Sequence, residues 1–182
     1  MRPILFLLVL GTLAVNSTLA QKQSYKVAIV GFYNLENLFD TIDNPMVDDN
    51  EFSPNGPRRY DATIYKDKLT KLATVISQMG TEMNPDGPAI LGVAEVENDT
   101  VLQDLVRHPL LEKRGYRIVH YDSRDARGID VGFLYNPKYF TPEQSDKLFV
   151  QLPTGSKDAY YTRDVLWVKG KFDGETIHVY VN

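Results

Sequence analysis

The most apolar stretch of the chain, residues 88–98, reads PAILGVAEVEN and ends in two carboxylates and an amide, Glu95, Glu97 and Asn98. A run this short, opened by Asp86-Gly87 and closed by a helix-start signal at Asn98-Asp99, predicts a strand buried on both faces. Alternation along a strand points Glu95 and Glu97 the same way. A carboxylate leaving a buried strand requires a cation, hydrogen-bond donors or water. A metal ion is one answer, and a pair of ordinary solvated strand-end glutamates is the other. Asn34 closes the β-rich run 26–32 in the same manner, where an Asn is commonly a turn former. The acidic cluster Asp40, Asp43, Asp48, Asp49 and Glu51 carries oxygen ligands but lacks the regular spacing of a calcium loop, so a solvated loop is expected. Arg58-Arg59 either reach a phosphate or stay in water. His108 beside a helix-ending proline, His120 at a strand end and His178 in mid-strand have no apparent carboxylate partner, and they read as structural or solvated.

The elements that must position these groups are legible in the periodicity. Tyr65, Leu69, Leu72, Ile76 and Met79 share one helical face, with Lys66, Asp67, Lys68 and Lys71 largely outside it and Gly80 as the stop. A second helix starts near Asp99, carries Val101, Leu102, Leu105 and Val106, and ends before Pro109. Residues 41–60, broken by Pro45, Pro54, Gly56 and Pro57, predict a loop. Strands are expected at 116–121, 128–135, 160–172 and 176–182, the last two joined by a hairpin turn at Asp173-Gly174. Strand, helix, strand, helix and then strands in succession indicate an α+β or sheet-sandwich layout.

The first 20 residues combine Arg2, the apolar core 4–10 and small residues up to Ala20, the pattern of an export signal cleaved after Ala20. The apolar core is below the roughly 20 residues a membrane span needs. The expectation is a secreted or periplasmic soluble protein whose domain occupies 21–182, with no obligate protein partner evident. There is no cysteine, so stability rests on burial or bound ions. The formal charge is −4, and one unit more negative once Arg2 is removed. An acidic chain does not attract a polyanion by its overall field, so a phosphate substrate has to be held by local Lys, Arg or metal.

Four segments together resemble a known family. Residues 33–39 (YNLENLF) look like its first motif, a strand ending in a metal-site Asn; residues 90–98 (ILGVAEVEN) look like its second, ending in the metal-binding Glu, with Ala94 where many members have Gln. Residues 127–135 (RGIDVGFLY) and 161–166 (YTRDVL) resemble the strands that follow. The family is the endonuclease/exonuclease/phosphatase, or deoxyribonuclease I-like, superfamily. The resemblance implies a four-layer α/β/β/α sandwich: two sheets face to face with helices outside each. It implies hydrolysis of phosphodiesters with Mg2+, or Mn2+ or Ca2+, and nucleic acid as the substrate. Glu95 would ligate the metal directly and Asn34 would orient it or its water. Arg163 would hold the phosphate, with Arg58 and Arg59 as further substrate contacts and Asn182 as a catalytic strand-end group.

Members of this kind continue past the strand that ends at Asn182 with a His, a Gly-Asp-x-Asn segment and a Ser-Asp-His segment. The expectation is therefore an incomplete sandwich, the first half plus the beginning of the second, inert by itself. Its positions Ile29, Ile90, Leu91, Val131, Phe133 and Leu166 should lie uncovered, and the exposed face should aggregate or dimerise. Two alternatives stay open: a non-catalytic remnant or interaction module, and a phospholipid or inositol-phosphate phosphoesterase of the same superfamily.

Overall fold

A computed structural model describes residues 26–152 and 161–182. The export segment 1–20 and the first residue of the strand expected at 160–172 lie outside them. Two sheets form. The first has the order β1-β2-β4-β3, from β1 (Ile29–Leu38), β2 (Pro88–Val96), β3 (Arg117–His120) and β4 (Asp130–Tyr135). The second, β5-β6-β7, comes from β5 (Phe140–Leu148), β6 (Val165–Phe172) and β7 (Glu175–Val181).

β1 and β2 are parallel, so a crossover must join them, and α1 (Ala62–Gln78) supplies it. Asp61 caps α1 by accepting from the backbone N–H groups of Thr63 and Ile64. The expected face buries Leu69, Leu72 and Ile76, together with Ala73. α2 (Asp99–Val106) is capped by the Asn98 side chain, which accepts from Val101 N–H. Both helices pack on one face of the first sheet, around Leu91, Val93, Val96 and Leu134. Its other face meets the second sheet through Ile90, Ala94, Val131, Phe133, Phe140, Leu166, Val168 and Val181. The layers are thus helix, sheet, sheet, and among the described residues helices cover only the first sheet.

Three expectations are corrected. β5 was not foreseen: it holds Pro142, buries little besides Phe140 and carries a register shift between Pro142 and Gln144, the features of an edge strand with no alternation to detect. Of the positions expected to lie uncovered, Ile90, Val131, Phe133 and Leu166 are buried where the two sheets meet, and Leu91 is buried under the helices. Ile29 is half-buried. On the face that meets the second sheet, Val30 and Phe32 of edge strand β1, paired with Ile90 and Gly92, stay exposed. Residues 41–60 are the expected loop and mostly exposed, but not solvated throughout: Phe39 stacks on Phe52 at 4.1 Å, Tyr60 meets Phe52 edge-on, and Ile129 completes this small core.

The Asp173-Gly174 turn forms as expected, with φ of 47° and 89° between paired Phe172 and Glu175. The C-terminal end of α1 is closed from a distance. Arg114 donates to the carbonyls of Ile76 (3.0 Å) and Ser77 (2.5 Å), satisfying acceptors the helix cannot satisfy itself. Arg114→Met should therefore cost about 1.5–3 kcal/mol of stability, read as a shift in the denaturant midpoint at unchanged m-value.

Candidate metal and phosphate site

Parallel pairing brings the C-terminal ends of β1 and β2 side by side, with Asn34 opposite Ala94. Beyond that pair the ladder slips and resumes at Leu38 opposite Val96. The slack is taken up by left-handed backbone at Glu36 and Asn37 on β1 (φ 53° and 60°) and at Glu95 on β2 (φ 60°). Non-glycine residues adopt this conformation at a cost, and such strain collects where side chains must be aimed.

The strict alternation expected of Glu95 and Glu97 therefore fails. Glu97 accepts a 2.6 Å hydrogen bond from the Asp40 N–H, and burial, assisted by the charges of Asp40 and Asp49, pushes its carboxyl up to about 7. Glu95 is half-buried and lies close enough to Lys68 for the two charges to interact. Asn34 is exposed, and its Oδ1 accepts from the Glu36 N–H at 2.7 Å, which orients the amide.

Next to these exits lies a groove of about 470 Å3 lined by Glu36, Phe52, Arg58, Tyr60, Lys68 and Lys71. Arg58 pairs with Glu51 at 2.9 Å and lies over the Phe52 ring, its guanidinium carbon 4.8 Å from the centroid. Lys68 donates to the Glu36 carbonyl, and burial lowers its pKa against the opposing pull of Glu36 and Glu95. Arg59, with φ 48°, is exposed and does not line the groove. Arg163 is half-buried just before β6 and has no hydrogen-bond or ion-pair partner among the described residues. Asp164 beside it is buried, with Oδ1 lacking a hydrogen-bond partner. Asn182 follows β7 and is exposed; a Cβ on Gly92 would meet Val181 at 3.2 Å, so β7 approaches the strand that carries Glu95 closely.

Asn34, Glu95 and the Arg58 groove are thus gathered at one end of the first sheet, and among the described residues no hydrogen bond or ion pair joins Arg163 to Glu95. Sequence reasoning passed over Lys68 and Lys71, which it placed outside the apolar face of α1; a polar face adjoining a strand-end carboxylate was the available signal. For His120 the expectation of no carboxylate partner is corrected, while its burial agrees with a structural histidine. Its Nε2 lies 3.3 Å from Asp130 Oδ2 and its Nδ1 3.9 Å from Asp122 Oδ1. His178 accepts from the Trp167 indole at 3.0 Å and stacks on it, and His108 meets Thr70 at 3.3 Å, both structural roles.

The architecture is that of a phosphoesterase-type fold. The chain belongs to the Endonuclease/Exonuclease/phosphatase family, whose sequence profile matches residues 29–182. Enzymes of this family generally depend on a divalent metal. No curated protein sequence matches the chain. Among solved structures it is similar to a family protein of Bacteroides vulgatus at 16% identity and a TM-score of 0.48, covering 82% of this chain and 49% of that one. A family protein of Bacteroides thetaiotaomicron matches at 18% identity and 0.46, covering 65% and 43%. A mannosyl-6-phosphatase of the same organism also matches at 18% and 0.46, covering 65% and 44%. The chain spans less than half the length of each. No helix among the described residues is long and apolar enough to cross a membrane.

Proposed function

We propose that residues 21–182 are the metal- and phosphate-binding portion of a divalent-metal-dependent phosphodiesterase, exported behind the segment 1–20, and that its substrate is nucleic acid. The observation that carries this reading is the side-by-side exit of β1 and β2. It sets the Asn34 amide and the Glu95 carboxylate next to a groove lined by Arg58, Lys68 and Lys71. The donors fit a hard cation: all are oxygen, Glu95 has no hydrogen bond that competes for its carboxylate among the described residues, and the Glu36 N–H leaves a second lone pair on Asn34 Oδ1. Magnesium is the preferred ion, with Mn2+ and Ca2+ as substitutes. The bound cation supplies charge stabilisation at the phosphate. The chain's own residues position the reaction: Glu95 and Asn34 hold the cation, Arg163 grips the phosphate oxygens, Lys68 and Arg58 guide the polyanion, and Asn182 flanks the reacting group.

The test is hydrolysis of plasmid DNA, RNA and phosphoinositides in Mg2+ by the full product of the gene and by residues 21–182 alone. Nicking of DNA or RNA with no phosphoinositide turnover is expected from the first. None is expected from the second, because the resemblance assigns water activation to later motifs. Preferential phosphoinositide cleavage would reassign the substrate. Arg163→Ala should lower turnover about 10²-fold while leaving Mg2+ affinity unchanged. Equal loss of both would show that Arg163 does not act on the phosphate side.

A further inference from the structure

We propose that His120, Asp122 and Asp130 form a second cation site, for a borderline divalent ion of the Zn2+ class, on the opposite face of the first sheet from Asn34. Directly paired residues share a face. Asn34 is opposite Ala94, which belongs to the core between the sheets. His120 is opposite Gly132, and Asp130 is opposite Val96. Those two partners face the helices: Val96 packs in the helix-covered core, and a Cβ on Gly132 would strike Leu102 of α2 at 2.8 Å.

The side chains of His120 and Asp130 are only 3% and 5% exposed. Nε2 of His120 is 3.3 Å from Asp130 Oδ2, yet it has no hydrogen-bond partner, because the geometry of the approach is wrong for one. A buried ring nitrogen beside a carboxylate but not bonded to it is costly as it stands. The same spacing suits two ligands of one ion, since metal–ligand bonds of about 2.0–2.1 Å at the tetrahedral angle set neighbouring donors about 3.3 Å apart. The Ser123 N–H holds the other oxygen of Asp130, Oδ1, at 2.8 Å, which turns Oδ2 toward the ring.

Asp122 Oδ1 lies 3.9 Å from Nδ1, the ring's other nitrogen, and its 86% exposed side chain is free to turn toward the Nε2 side as the third donor from the rim. One ligand atom from each of the three residues lies within 4.8 Å of the others. An acidic cavity of about 270 Å3, lined by Asn44, Glu97, Asn98, Asp122, Asp125 and Asp130, adjoins the cluster and gives an ion a route in. The loop between is stapled by Asp125, whose carboxylate takes two hydrogen bonds of 3.0 Å from the Arg127 side chain. One imidazole with two carboxylates favours zinc or a similar transition ion over Mg2+, which prefers oxygen alone.

The experiment is a titration of the chelator-stripped protein with Zn2+, followed by calorimetry, by thermal unfolding and, with Co2+ in its place, by visible absorption. One ion per chain, a raised Tm and a Co2+ ligand-field band are expected. Asp122→Asn should weaken Zn2+ binding about tenfold or more while leaving the Tm of the metal-free protein unchanged, since this exposed side chain supports no packing. Asp130→Asn should abolish binding. Glu95→Gln should leave it intact. The proposal fails if Zn2+ does not bind stoichiometrically at micromolar concentration, or if Asp122→Asn has no effect. Loss of the ion in Glu95→Gln with retention in Asp122→Asn would place it at the phosphate site and overturn the proposal as well.

Discussion

Glu95→Ala is expected to reduce metal-dependent phosphodiester cleavage by the full gene product at least about 10³-fold, with the folded structure retained. The side chain is half-buried at the end of β2, in a backbone conformation that the register slip imposes, and it contributes charge rather than packing. Its carboxylate makes no hydrogen bond among the described residues and its side chain is only half-buried, so truncation removes little packing. The strain at φ 60° is inherited by alanine, so the Tm should change by little. Plasmid nicking in Mg2+ and calorimetric Mg2+ affinity measure the two halves of this expectation. Near-normal nicking by the variant would remove Glu95 from the metal site. A large fall in Tm would instead make it a folding residue.

Phe133→Ala should be the most damaging single change to the fold, costing roughly 3–5 kcal/mol. Phe133 is fully buried between the sheets. Its ring meets Phe140 of β5 edge-on at 5.4 Å and stacks on Tyr135 at 5.9 Å. It thus joins the first sheet to an edge strand that makes few other buried contacts. Removing the ring leaves a cavity that β5 cannot close, because Phe140 is already committed to the same cluster. A loss of this size is a large part of the about 5–15 kcal/mol that holds a domain together. Denaturant unfolding of residues 21–182 reads it directly. An unchanged midpoint would mean that the two sheets do not pack through Phe133.

That measurement also bears on the expectation that this chain aggregates through an uncovered sheet. The positions named for exposure are largely buried, and on edge strand β1 the exposed apolar side chains are Val30 and Phe32. Phe32→Ser, on β1, should therefore reduce any self-association seen by size-exclusion chromatography while leaving the denaturant midpoint nearly unchanged, whereas polar changes on the buried face should lower that midpoint.

What the sequence determined alone was whatever is written in local periodicity and turn chemistry. The face of α1, the Asn98 cap, the doubly buried β2 and the Asp173-Gly174 hairpin each depend on residues a few positions apart, and each appears where it was expected. The family, too, was legible, since its motifs are short contiguous stretches at strand ends. Tertiary structure alone decided the rest. β5 is a strand because β6 offers it a partner, although its own residues carry no alternation. The loop 41–60 is anchored because Phe52 finds Phe39, a pairing that no local spacing announces. Glu95 leaves the alternation because β1 and β2 differ in the number of residues they spend between two shared pairs, a property of neither strand by itself. His120 gains Asp130 because antiparallel pairing sets the end of β3 beside the start of β4, ten residues on in sequence and 3.3 Å away in space.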